Sequence, residues 1–171
     1  MTSRARAAAP FFSQNSDGVF VGNDPARGPW SADHCHAGPV TGLAVRAAEI
    51  EVGADKMLCR LTLDILRPLP LSGLRVAAET TRHTRTLATT QITVHDLDNT
   101  LCAQGTSMHL VRKDLGDVPT AAVVPLDRAK AVPGPFSIGV GLHDKPYFGQ
   151  FLDVAYPPGF DLHPGPKTLW M

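Results

Sequence analysis

Charge of one sign is missing from this chain: Lys and Arg together number 16, Asp and Glu number 16, and the formal net charge is zero. A nucleic acid or an anionic membrane needs a basic surplus on its partner, so neither is expected to bind. Cysteine is scarce. Cys35, Cys59 and Cys102 are odd in number and form no CxxC pair, which argues against a disulfide framework and fits a reducing cytoplasm. The first ten residues hold Arg4 and Arg6 but no apolar core of signal-peptide length. No apolar run approaches the length of a membrane span. What is present, 43% hydrophobic and 19% charged residues in a chain of 171, is globular composition with room for one domain and a tail. A chain without net charge also meets no electrostatic obstacle to self-association.

Periodicity then orders the chain. Asp17-Gly18 is a turn signal, and Val19-Phe20-Val21 reads as a short buried strand. Asp24-Pro25 and Gly28-Pro29 mark a loop. From Pro39 to Ile50, Val40, Leu43, Ala44, Ala47 and Ile50 recur at spacings of three and four, which predicts a helix with one apolar stripe. Pro39 suits its first turn and Gly53 its end. Four strands are expected after it, over Met57–Leu66, Leu74–Thr84, Leu87–His95 and Leu101–Arg112, with Asp98-Asn99 turning the last pair. One strand, one helix and four strands in this order predict an α+β fold, with a five-stranded antiparallel sheet wrapped around one helix. Beyond Asp114 nine of the fifteen prolines collect and helical periodicity ends. Residues 114–135 read as a linker and 136–171 as a loop-rich tail, with short strands at Phe151–Ala155 and Lys167–Met171.

The series Gly28-Pro29-Trp30, His36-Ala37-Gly38-Pro39-Val40, Arg60-Leu61-Thr62-Leu63-Asp64 and Leu66-Arg67-Pro68-Leu69-Pro70-Leu71 resembles the first half of acyl-CoA thioesterase II-type proteins. The resemblance implies a hotdog domain over 11–113, followed from 136 by the opening of an incomplete second hotdog unit. It implies hydrolysis of an acyl-CoA to acid and free CoA, with no metal or other cofactor. A lone hotdog exposes apolar sheet edges and one side of its helix, so a homo-oligomer is expected. The alternative is a non-catalytic subunit or acyl-binding module. In this family the catalytic Asp, hydroxyl and Gln resemble residues of the second unit. Alignment of the first unit to that pattern places Arg46 at the helix acid, Thr62 at the hydroxyl and Ser107 near the Gln, so only one of the three agrees in kind.

The residues nominate His36 and Asp64 as catalytic candidates, the resemblance adds Thr62 and Ser107, and the N–H groups of Ala37 and Gly38 are the expected binding site for a thioester carbonyl. A helix N-terminus favours negative charge, and glycine permits close approach of the backbone. Each has a plainer reading: Gly38 as tight packing, His36 as a solvent-touching first-turn residue, Asp64 as half of a buried ion pair with Arg60 or Arg67. Asp33-His34-Cys35-His36 offers four adjacent ligand types, but neighbours in a chain diverge where zinc needs convergence. His95-Asp96-Leu97-Asp98-Asn99-Thr100 resembles the nucleophile loop of phosphotransferases. The remaining 70 or so residues hold no glutamate to complete a magnesium site, so a hairpin turn is expected there.

Overall fold

The computed structural model describes residues 9–122, 126–136, 141–159 and 168–171. A short hairpin opens the chain, β1 (Phe12–Gln14) against β2 (Phe20–Gly22). Asn15 closes its turn by accepting from the amides of Asp17 and Val19, and Gly18 supplies a positive φ of 77°. One strand is predicted from the sequence here. That strand is present as β2, one residue later than the expected 19–21, and the expected Asp17-Gly18 turn reverses the chain onto a further strand, β1, that was not anticipated.

Helix α1 runs Ala37–Val52, two residues beyond the expected span at each end. Gly53 terminates it at φ 88°, a conformation that costs other residues dearly. Behind α1 lies an antiparallel sheet of β3 (Met57–Ile65), β4 (Arg75–His83), β5 (Leu87–His95) and β6 (Leu101–Leu110), ordered β3-β6-β5-β4. The sheet has four strands where five were expected. Among the described residues the opening hairpin is hydrogen-bonded toward it through a bridge between Phe20 and Leu74, whose amides and carbonyls pair at 2.9 Å in both directions. The β5–β6 connection is the expected turn: Asp96 accepts from the amides of Asp98 and Thr100, and Asn99 takes φ 62°. Those carboxylates are turn elements.

Alternation along the strands decides what meets the helix. Ala88, Thr90, Ile92 and Val94 of β5 are buried on one face, as are Ala103, Gly105, Ser107 and His109 of β6. Val40 packs with Leu69, Leu71, Leu74, Val94 and Ala103, while Ala44 and Ala48 pack on Ile92 with Leu61 and Leu63 beside them. Small helix residues let α1 lie close to the sheet, and Gly105 shows how close the strands come. A Cβ there would run into the Thr62 carbonyl.

Within the expected linker, Val132–Gly134 forms β7, which pairs with β8 (Val154–Tyr156). The strand expected at Phe151–Ala155 is therefore shifted, since Phe148–Phe151 winds into a 3-10 turn before it. Lys167 of the other expected strand lies outside the described residues, while Trp170 bridges to Ala155. The tail is fastened to the first unit at one loop. Arg27 donates to the carbonyls of Ala32 (2.8 Å) and Pro146 (2.7 Å) and pairs with Asp24. Leu142 donates to Pro29, Phe148 to Arg27, and His143 meets the Gly28 carbonyl.

Candidate functional site

The start of α1 is built around His36. Its backbone is extended (φ −70°, ψ 141°), and its Nδ1 accepts the Gly38 amide at 3.1 Å, making it the N-cap. An accepting Nδ1 places the proton of the neutral ring on Nε2. Partial burial holds its pKa below the ordinary histidine value, which keeps the accepting form. The imidazole stacks on Phe148 (centroids 4.2 Å apart, planes 10° apart), and Trp30 tilts against it at 5.5 Å. Gly38 was expected to offer a free N–H. It does not, because the adjacent imidazole already occupies that donor, and Pro39 has none to give.

Clefts open on both sides of this capped turn. On one side a groove of about 560 Å³ runs along the outer face of α1, lined by Phe11, Phe12, Phe20, Leu43, Arg46 and Phe148, with Gln14, Gly38, Pro39 and Gly42 completing its walls. On the other a smaller cleft of about 270 Å³ lies between Trp30, Ala37 and the Ile65–Leu69 segment. Phe148 comes from the tail, and no pattern in the chain announces its contact with His36. Its only early signal was an aromatic residue in a segment too poor in pattern to place.

The other nominated residues stand elsewhere. Thr62 and Asp64 alternate with Leu61 and Leu63, and are therefore exposed on the sheet face opposite α1. Asp64 has no ion-pair or hydrogen-bond partner among the described residues, and Arg67 instead donates to the Leu101 carbonyl at 2.8 Å. The expected buried pair is thus replaced by a solvated carboxylate, because the strand phase turns it outward. Ser107 is on the helix side and buried, below the C-terminal half of α1. Its Oγ lies 2.7 Å from Thr90 Oγ1 and 2.8 Å from His109 Nε2. His109 is fully buried and its Nδ1 has no hydrogen-bond partner among the described residues. Burial lowers its pKa, and the Glu49 carboxylate opposes this in part. The structure does not bring His36, Thr62, Asp64 and Ser107 together.

Among the described residues no three His, Cys, Asp or Glu side chains gather at one point. Cys35 is buried, which pushes its thiol up to about 12 against the lowering effect of Arg27, so it is no nucleophile near neutral pH. Arg82, His83 and Arg85 form a small basic cluster at the end of the sheet reached by the C-terminus of α1, where Glu51 accepts the Thr80 amide and Lys56 donates to His83 at 3.1 Å.

The family model of the acyl-CoA thioesterase N-terminal domain matches residues 26–110, from the Arg27 loop to the end of β6. No curated protein matches the chain. Among solved structures, the BH2602 protein of Bacillus halodurans, crystallised with CoA, is similar at 17% identity and a TM-score of 0.50, over 55% of this chain and 69% of its own. The PaaI protein of E. coli is similar at 18% identity and a TM-score of 0.49, over 56% and 70%. The smu.793 protein of Streptococcus mutans, bound to acetyl CoA, is similar at 18% identity and 0.43, over 47% and 68%. The chain has the α+β hotdog fold, and its residues 26–110 are similar to the N-terminal domain of acyl-CoA thioesterases.

Proposed function

We propose that the protein takes an acyl-CoA thioester at the start of α1 and serves its hydrolysis to free acid and CoA. The observation that carries this reading is the apolar groove that opens beside Gly38: its helix wall lies in the region matched to acyl-CoA thioesterases, while its aromatic wall comes from Phe11, Phe12, Phe20 and Phe148 outside that region. An acyl chain would lie against Phe11, Phe12, Phe20 and Leu43, leaving water and exchanging apolar surface at about 25 cal/mol per Å². Its carbonyl would sit over the first turn of α1, where the aligned peptide dipoles favour a developing oxyanion. His36 and Ala37 are the site residues of this proposal, with Gly38, its N–H held by the cap, contributing only to the groove wall. Water is the nucleophile. The Nε2–H of His36 is a further donor for the carbonyl, provided the ring keeps its cap.

Thr62, Asp64 and Ser107 lie outside this site, and that observation favours a second reading. In it the domain binds the acyl group and the group that activates water is supplied elsewhere, as for the first of two hotdog units. Residues 136–171 are then the opening of a second unit whose Phe148 already closes over the first.

Release of free thiol from acyl-CoAs of graded chain length separates the two. Turnover above a protein-free control supports the enzyme. Saturable binding without turnover supports the binding module, and neither would remove both. Cys59 is exposed while Cys35 and Cys102 are buried, so one equivalent of fast-reacting protein thiol is the background to subtract.

A further inference from the structure

The groove along α1 has one charged side chain among its lining residues, Arg46, and that residue has no ion-pair or hydrogen-bond partner among the described residues. Glu49 and Glu51 stand three and five positions further on. Glu51 is engaged with the Thr80 amide, and neither carboxylate pairs with the guanidinium. Gly38, Gly42 and Arg46 follow one another at intervals of four, so they share one stripe of the helix. Gly42 leaves open space where a side chain would fill the groove floor. The groove therefore begins at the capped turn and ends at a cation, with apolar and aromatic walls between.

That pattern selects its occupant. The pantetheine arm of CoA carries two amides, and the lining side chains offer only Gln14 and Arg46 to satisfy them, which makes the groove a poor host for it. A hydrocarbon chain needs no such partners. We propose that the groove holds an acyl chain ending in a carboxylate, and that Arg46 binds that far carboxylate and sets the substrate class as ω-carboxyacyl thioesters. This rests on the thioester reading above. Eight residues of helix span about 12 Å, and the Arg46 side chain leans back toward the N-terminus, so a chain of roughly eight carbons reaches. Arg46 stands where the resemblance put an acid. It would act in recognition, as a specificity-determining residue.

The test compares binding of two CoA thioethers that cannot be hydrolysed, one with an octyl chain and one with a 7-carboxyheptyl chain, by calorimetry. The wild-type protein is expected to prefer the carboxylated ligand by about tenfold. Arg46→Gln should abolish that preference while leaving octyl-CoA binding within about twofold, and Arg46→Lys should keep part of it. Equal weakening of both ligands by Arg46→Gln would place the guanidinium on the CoA phosphates and overturn the proposal. So would wild-type protein that binds octyl-CoA with no preference, an outcome that spares the thioester reading. Binding of neither ligand would remove both.

Discussion

At the residue scale, the helix-side hydroxyls have a structural role that a substitution can expose. Ser107 Oγ stands between Thr90 Oγ1 and His109 Nε2, all three buried. Ser107→Ala would leave a hydroxyl and an imidazole nitrogen without their partner in a site water does not reach. The expected cost is about 2 kcal/mol in urea unfolding, with any thioester turnover per folded molecule unchanged. A loss of turnover in protein of undiminished stability would return Ser107 to the catalytic set. The sequence could place Ser107 on β6 but could not say which face it took. A shift of one residue in strand phase reverses every side chain, and the bulges between Leu58 and Arg60 and between Val94 and His95 make such shifts hard to read. His36 shows the same limit in another form. Gly38-Pro39 made the helix start legible, whereas the cap depends on one ring nitrogen, and the stacking partner Phe148 lies far along the chain.

At the element scale, α1 is bracketed by two histidines that it holds neutral. His36 caps its first turn and His109 lies beneath its C-terminal half, and burial depresses the pKa of each. The folded state therefore binds these protons less readily than the unfolded chain. Their contribution to stability is complete above the ordinary histidine value near 6.5 and is lost as pH falls through the lower folded values. The thermal midpoint should be level from about pH 8 to about pH 6.5 and then decline. His36→Asn retains an N-cap acceptor that does not titrate in this range, so it should flatten the decline in part and leave the His109 share. A midpoint that rises on acidification would refute the assignment. The helix and the four long strands were legible because each repeats its pattern over nine or more residues. The hairpin at 12–22 and the pair β7–β8 were legible only in part, β2 and β8 through short apolar runs, while β1 and β7 were missed because strands of three residues carry no period and Pro133 is a poor strand signal.

At the scale of the whole molecule, the sheet order β3-β6-β5-β4 leaves two strands with an unpaired edge. β4 is blunted at one end, where Leu74 just before it bridges to Phe20. β3 has no such cover among the described residues, and Met57, Ile65 and the adjoining Leu66 are exposed along it, with Trp30 exposed beside the Ile65–Leu69 cleft. An uncovered edge with apolar side chains invites pairing with another strand, and a second copy of the same edge can satisfy it about a twofold axis. The absence of net charge removes the repulsion that would oppose this. Light scattering at micromolar concentration is therefore expected to give about twice the mass of the 18.3 kDa chain. Ile65→Lys places a solvated charge on that edge without opening a core cavity, so it should shift the protein toward monomer and leave its thermal midpoint nearly unchanged. A wild-type monomer would exclude β3 as a self-association edge. A dimer indifferent to Ile65→Lys would move the interface to another surface, with the outer face of α1 the first to examine.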